Sequence, residues 1–419
     1  MIRPIYSLML LGAQPLLRRK LRRRGVQEPG YLEHVDERFG RYQGSTGPGR
    51  LWIHAVSLGE TRAAAILITA LRAERPDVRL LLTHGTATGR AEGAKLLREG
   101  DAQAWLPWDT PKAVRGFLNH WKPAVGVLME TEVWPNLIAL CREQGVPLAL
   151  ANARLSEKSL RGARRLPRLS RPAYGGLRAV WAQTETDARR LAQAGATVQG
   201  VFGNLKFDAA PAPEQLERGR GWRALQDRPV VMFASSREGE EAGFLQAARS
   251  QAGVQWLLVP RHPQRFDEVA ALAAQAGFRV SRRSGWGELP ASADVWIGDS
   301  LGEMALYYAM ADVALLGGSF APLGGQNLIE AAACDCPVVM GPHTFNFNEA
   351  AQLAQQAGAA LRVSSIDEGV REAVALAREP GRREVAVEAC EAFSSAHRGA
   401  ALKTARAVLG LLERPVLEA

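Results

Sequence analysis

Eight short runs hold the side chains able to do chemistry. In His54–Glu60 (HAVSLGE), a glycine and a carboxylate follow an apolar run and precede a helical one. Glu60 can take a proton from a hydroxyl there if its surroundings tune its pKa. An acid in a first helical turn also stabilises the helix dipole, so capping is the alternative. Met129–Asn136 (METEVWPN) sets Glu130 and Glu132 at a second strand end, facing one way if the strand continues. Those acids beside Asn136 suit a reaction centre; the alternative is helix-start acids followed by a packing Trp. Asn152–Lys158 (NARLSEK) follows another strand, and Gly203–Asp208 (GNLKFD) closes the first half of the chain, with Lys206 placed to meet an anionic ligand. Each of these two also reads as a polar turn with a surface ion pair.

The second half offers nucleotide chemistry. Ala234–Glu241 (ASSREGEE) opens a helix with hydroxyls and amides that hold an anion or cap the helix. Val259–Arg265 (VPRHPQR) sets Arg261, His262 and Arg265 directly after an apolar strand, and Arg is well shaped for phosphate. Gly317–Glu330 carries four glycines between a strand and a helix starting near Asn327. Glycine lets a ligand approach backbone, a helix start favours phosphate, and Glu330 is placed to accept from ribose hydroxyls. The run is neither a Walker A loop nor G-x-G-x-x-G. Gly341–Phe347 (GPHTFNF) ends the next strand. No His, Cys or acid cluster has metal-ligand spacing, so protein cations and helix dipoles must supply the electrostatics. Carboxylates in one half and a nucleotide site in the other suit transfer of a group from a nucleotide carrier to a hydroxyl.

Alternating strands and helices must position these runs. Strands are expected at Leu51–Val56, Val78–Thr83, Val125–Met129, Pro147–Ala151, Val180–Ala182 and Val198–Val201. The intervening stretches Thr61–Arg75, Thr88–Arg98, Thr110–Trp121 and Glu185–Ala194 read as helices. The alternation breaks over Phe207–Asp227, which holds Pro211 and Pro213 and reads as a linker. It restarts with strands at Val230–Ala234, Val254–Val259, Val295–Ile297, Val313–Leu316 and Val338–Met340, and the tail from about Gly381 to Leu412 reads as helical. Near-continuous apolar strands alternating with helices mean parallel sheets covered on both faces. The expected fold is therefore α/β, two Rossmann-like doubly wound domains with a ligand cleft between the strands' carboxyl ends. The expected boundaries are an N-terminal anchor at 1–30, an acceptor domain at 31–208, a linker at 209–228 and a nucleotide-binding domain at 229–419 that keeps the C-terminal helix.

The 419 residues suit two or three domains. With 47% hydrophobic and 23% charged residues the chain is globular, neither disordered nor a multi-span membrane protein. Its 4 cysteines form no C-x-x-C pair, which excludes a zinc ribbon and a thioredoxin-like site and suits a reducing compartment. The net charge of +9 is concentrated: Arg3, Arg18, Arg19, Lys20, Arg22, Arg23 and Arg24 place +7 in residues 1–24, with no acid among them. A nearly neutral body argues against nucleic acid as partner. The apolar stretch Ile5–Leu17 is shorter than the ~20 residues of a spanning helix, and most of its positive charge follows it, unlike a signal peptide. A short helix on an anionic membrane surface fits that order, with the body on the cytoplasmic side; a first helix packed on the body is the alternative.

Taken together, HAVSLGE, METEVWPN, NARLSEKS, GNLKFD, VPRHPQRF, GGQNLIEAAA and GPHTFNF resemble the lipid A Kdo (3-deoxy-D-manno-octulosonic acid) transferases, over nearly the whole chain. The resemblance implies a GT-B glycosyltransferase fold, CMP-Kdo as donor, a lipid A precursor (lipid IVA) as acceptor, and work at the cytoplasmic face of the inner membrane in lipopolysaccharide synthesis. It implies no cofactor and no metal. Glu60 then corresponds to the general base, and Glu130 and Lys206 to residues that stabilise the transition state. Pro260 and Arg261, then Leu301, Gly302 and Glu303, then Asn327, Leu328, Ile329 and Glu330 correspond to the segments that hold CMP. Ser235-Ser236-Arg237 stands where the family often has Ser-Thr-His, Gln326 where it often has His, and Leu301 where it often has Met. Polar or basic character is kept at the first two sites, and the third can bind through its backbone. Two other classes compete: a soluble GT-B sugar-nucleotide 2-epimerase, which needs no basic apolar N-terminus, and a non-catalytic basic membrane-surface protein, against which the neutral body argues.

Overall fold

A computed structural model describes residues 2–44 and 47–413; Met1 of the expected anchor and residues 414–419 of the expected second domain lie outside them. The chain forms two compact units, one running through Asp208 and resuming at Arg398, the other Ala209–His397.

The first unit holds β1 (Leu51–His54), β2 (Leu80–His84), β3 (Ala102–Trp105), β4 (Val125–Met129), β5 (Leu148–Ala153), β6 (Ala179–Ala182) and β7 (Gly200–Val201). They form a parallel sheet of order β3-β2-β1-β4-β5-β6-β7. The central strands are buried throughout because both faces are covered, and their few polar residues (His54, Thr83, His84, Asn152) lie toward the carboxyl ends. Leu51 and Ile53 pack with Leu67 and Leu71 of the Leu58–Glu74 helix, while Trp52 between them packs with Phe117 and Leu118 of the Pro111–Trp121 helix. Chain order reverses between β1 and β4, so the segments leaving those two neighbours diverge at the sheet's carboxyl edge, where doubly wound folds bind ligands.

The second unit repeats the plan with β8 (Val230–Ser236), β9 (Gln255–Pro260), β10 (Val280–Arg282), β11 (Val295–Ile297), β12 (Val313–Leu316), β13 (Val338–Met340) and β14 (Ala360–Arg362). Their order is β10-β11-β9-β8-β12-β13-β14, all parallel, with the reversal between β8 and β12. Two doubly wound α/β units are what the alternation of apolar runs predicts. The strands absent from that prediction, β3, β10 and β14, all lie at sheet edges. They are short and only partly buried, so they lack the apolar run that marks a central strand.

Two expected boundaries are corrected. Residues 209–228 are no linker: Pro213–Ala224 is a helix of the second unit, and its prolines precede and start it. Gly219 lets that helix lie against the Met304–Ala309 helix, since a Cβ there would meet the Leu306 carbonyl at 2.5 Å. Nor does the last helix, Ala400–Glu413, stay with the second domain. Its Ala401, Ala405 and Val408 join the first unit's core beside Leu67 and Ile68. The Asp208 carboxylate fastens its start, accepting from Gly399 N at 2.5 Å and Ala401 N at 2.7 Å.

The N-terminal segment forms two helices, Ile2–Gly12 and Gln14–Gln27. The first is docked on the unit: Tyr6 Oη donates to Asp109 at 3.0 Å and Ser7 Oγ to Asn136 at 3.1 Å. Ile5, Leu8 and Met9, on the other face, are 58%, 69% and 62% exposed. Among the described residues no helix is long and apolar enough to cross a membrane.

Candidate active site

In the first unit the candidate residues gather at the ends of β1, β4 and β5. Ser57 is the N-cap of the Leu58–Glu74 helix; its extended backbone lets Oγ accept from Glu60 N at 3.3 Å. The Glu60 carboxylate folds back, accepting from Val56 N at 2.8 Å and Ser57 Oγ at 3.1 Å. Capping and candidate base are therefore the same side chain in one conformation. Burial pushes the Glu60 carboxyl from 4.5 up to about 7; the Val56 and Ser57 donors pull it down, and the charges of Glu130 and Glu132 push it up.

Glu130 directly follows β4 and stands at φ 58°, so the strand ends there and the expected alternation of Glu130 and Glu132 does not continue. The left-handed turn lets Glu130 N reach Ala151 O at 3.0 Å and its carbonyl accept from Arg154 N at 3.2 Å. The Glu130 carboxylate is buried and receives Arg154 Nε at 2.7 Å. Glu132 turns another way, accepting from Trp134 Nε1 at 2.7 Å, and lies 4.0 Å from His54 Nε2. Burial and the Glu130 charge raise its pKa. Burial drives His54 down to about 3, so its imidazole is neutral beside these acids. Asn136 serves structure: its amide donates to Asp109 O at 2.7 Å and its carbonyl holds Ser7 of the N-terminal helix.

Lys206 lies in the turn Leu205–Asp208, and Asn152 at the end of β5 holds that turn, accepting from Leu205 N at 3.1 Å. Arg154 and Asn152 escape a reading of the sequence as mere polar turn residues. Their signal was the place of NARLSEK at the end of a continuous apolar strand.

In the second unit the candidate donor segments meet at the ends of β8, β9 and β12. Arg261 N donates to Ser236 O at 3.0 Å, and Arg261 Nε to Gln326 Oε1 at 3.2 Å. Gly317 permits the crossing at the switch point, since a Cβ there would meet Ser235 O at 2.2 Å. His262 titrates low, through burial and then the charges of Arg237, Arg261 and Arg265, which marks a strongly positive surface. Arg265 is committed to protein carboxylates, Glu241 at 2.7 Å and Glu268 at 2.9 Å. Pro260 ends β9. Asn327 caps the Leu328–Ala333 helix, accepting from Ile329 N at 3.2 Å, and the Leu328 and Ile329 side chains face the core. Those two positions thus present backbone, while Glu330 is half-buried one turn in.

Leu301, Gly302 and Glu303 follow β11. Leu301 is exposed, Gly302 stands at φ 82°, and Glu303 pairs with Arg283 at 2.9 Å. Several amides of the glycine-rich turn, expected to face a phosphate, are instead occupied: Gly318, Phe320 and Ala321 all donate to the Glu240 carboxylate. Among the described residues no group of three or more His, Cys, Asp or Glu is arranged to hold a metal ion.

Known proteins resemble this chain over most of its length. The family model described as 3-deoxy-D-manno-octulosonic-acid transferase (kdotransferase) matches residues 33–209. The 3-deoxy-D-manno-octulosonic acid transferase of Bordetella pertussis is 50% identical over 420 residues, covering 96% of this chain and 97% of its own. That of Haemophilus influenzae is 34% identical over 385 residues, covering 89% of this chain and 90% of its own. Among solved structures, a UDP-GlcNAc 2-epimerase from Neisseria meningitidis superposes with a TM-score of 0.56 at 14% identity, covering 87% of this chain and 99% of its own. A glycosyltransferase from Rickettsia africae gives 0.57 at 12% identity, covering 88% and 100%. At such identities these two share the fold.

Proposed function

The chain belongs to the 3-deoxy-D-manno-octulosonic acid (Kdo) transferase family and transfers Kdo in lipopolysaccharide biosynthesis; we propose that CMP-Kdo is its donor, a lipid A precursor such as lipid IVA its acceptor, and Glu60 its general base. The observation that carries the base assignment is the Glu60 carboxyl, held by Val56 and Ser57 at the switch point and pushed to about 7. A carboxyl of that pKa is about half ionised at neutral pH, so a sizeable fraction is ready to take a proton.

In this mechanism Glu60 removes the proton of the acceptor hydroxyl as its oxygen bonds to the anomeric carbon of Kdo. The bond from that carbon to the phosphate oxygen breaks, and CMP leaves with the electron pair. Arg261 of the donor segments offsets the charge growing on the leaving phosphate, and Lys206 is assigned to transition-state stabilisation. Glu130, locked by Arg154, stabilises the positive charge that develops on the sugar. Pro260, Arg261, Leu301, Gly302, Glu303, Asn327, Leu328, Ile329 and Glu330 form the CMP site, largely through backbone at Leu328 and Ile329.

The acceptor is a lipid, so the enzyme must reach a bilayer. The outer face of the Ile2–Gly12 helix (Ile5, Leu8, Met9) supports a shallow membrane contact. The following helix contributes Arg19, Lys20, Arg23 and Arg24 to a groove of about 540 Å³, which suits the anionic cytoplasmic face of the inner membrane. The test is mass spectrometry of a lipid A precursor after incubation with enzyme and CMP-Kdo, with UDP-sugars as control. Mass gain of one or more Kdo units is expected with CMP-Kdo alone. A folded Glu60→Ala variant that still transfers at near wild-type rate would remove Glu60 as base.

A further inference from the structure

We propose that Glu240 is a positioning residue for the donor site, its carboxylate setting the turn after β12 and joining it to the turn after β8. The inference rests on the assignment of CMP to the second unit.

Glu240 is 4% exposed. One carboxylate oxygen accepts from Gly318 N at 2.7 Å and Arg237 N at 3.1 Å; the other accepts from Phe320 N at 3.1 Å and Ala321 N at 3.0 Å. No ion pair engages Glu240 among the described residues. A buried carboxylate needs such compensation, and here backbone amides from two segments provide it.

Those amides belong to the segments that flank the reversal of chain order. Arg237 follows β8; Gly318, Phe320 and Ala321 follow β12. Gly318 stands at φ 69°, its N–H on Glu240 and its carbonyl accepting from Gly325 N at 2.7 Å. A Cβ on Gly318 would lie 3.2 Å from Gln326 Nε2, and Gln326 in turn receives Arg261 Nε at 3.2 Å. A chain of contacts therefore runs from Glu240 through Gly318 and Gly325 to Gln326 and Arg261, ending beside Asn327. Glu240 holds the backbone of Arg237 and Gly318 directly; it reaches Gln326 through the Gly318–Gly325 bond and Arg261 through the Gln326 side chain.

Glu240→Gln preserves shape and makes the role measurable. Whichever way the carboxamide turns, its NH2 faces two backbone N–H donors, so two of the four hydrogen bonds are lost. For a folded Glu240→Gln protein the KM for CMP-Kdo should rise about tenfold or more, with the acceptor KM within about twofold of wild type. Glu240→Asp, one methylene shorter, should fall between the two. Calorimetric CMP binding by wild type separates two failures. If wild type neither binds CMP nor uses CMP-Kdo, the donor assignment falls. If wild type binds CMP and Glu240→Gln binds equally well, or loses donor and acceptor affinity alike, the positioning role falls. Should both variants fail to fold, amide exchange of the intact protein decides. Slow exchange at Gly318, Phe320 and Ala321 that slows further with CMP supports the coupling; fast exchange, or slow exchange that CMP leaves unchanged, overturns it.

Discussion

Replacing Glu60 by glutamine should make the protein more stable and inactive, and the gain should depend on pH. Below pH 4.5 the carboxyl is protonated in folded and unfolded chains alike, so wild type and Glu60→Gln compare two neutral side chains. Between 4.5 and about 7 the folded protein retains a proton that the unfolded chain has released, so wild-type stability declines as pH rises through that window. Above about 7 the deficit is complete. At ~1.4 kcal/mol per pH unit the gap corresponds to ~3 kcal/mol, which solvent at the carboxylate's exposed edge screens to ~2. The amide loses nothing comparable, since its oxygen can accept from Val56 N and its NH2 donate to Ser57 Oγ. For a unit of this size ~2 kcal/mol raises the melting temperature by roughly 4–8 °C. Differential scanning calorimetry at about pH 3.5, well below the unfolded pKa, and at about pH 8.5 should therefore show superposed transitions at the lower pH and a stabilised variant at the higher. In parallel, wild-type kcat/KM should fall about tenfold per pH unit below about 7, and the variant should retain under ~1% of activity. A melting difference equal at both pH values, or a variant less stable at the higher one, would refute a buried carboxylate tuned by its neighbours.

Arg154→Ala strands the buried Glu130 carboxylate and should cost ~1–3 kcal/mol, read by thermal melting, together with at least tenfold in kcat/KM. Asp208→Ala removes both acceptors at the start of the Ala400–Glu413 helix; a loss of ~1–2 kcal/mol and faster proteolytic release of the C-terminal helix are expected. The pair Leu8→Glu and Met9→Glu lies on an exposed face, so melting should not change while sedimentation with anionic vesicles drops at least tenfold; unaltered vesicle binding would dismiss that face as the membrane contact. High salt should also weaken vesicle binding of wild type, because screening shortens the reach of the basic helix.

The sequence is most informative where structure is local. A parallel sheet covered on both faces needs unbroken apolar strands, and β4, β11, β12 and β13 begin and end where their apolar runs do. Such sheets gather ligands at their carboxyl edges, so the motifs directly after those strands were legible as candidate sites from their position alone. The N-terminal basic run was equally plain, since composition needs no fold to be read.

Tertiary structure decided everything that depends on a distant partner. An amphipathic pattern announces an apolar face without naming the surface that takes it. The Ala400–Glu413 helix therefore looked like the end of the second domain, yet it packs in the first, capped by Asp208. Edge strands β3, β10 and β14 form because a neighbouring strand offers them hydrogen bonds, a gain invisible in their own residues. Glu130 and Glu132 part because one residue adopts positive φ. Glu240 reads as a helix-start acid until the turn after β12 brings its amides to it. Glu60 shows the division within one side chain. Its capping of the helix that follows β1 is written in Ser57 and Glu60, three positions apart. Its pKa near neutrality comes from burial and from the acids that β4 delivers alongside, and no local stretch of sequence contains those.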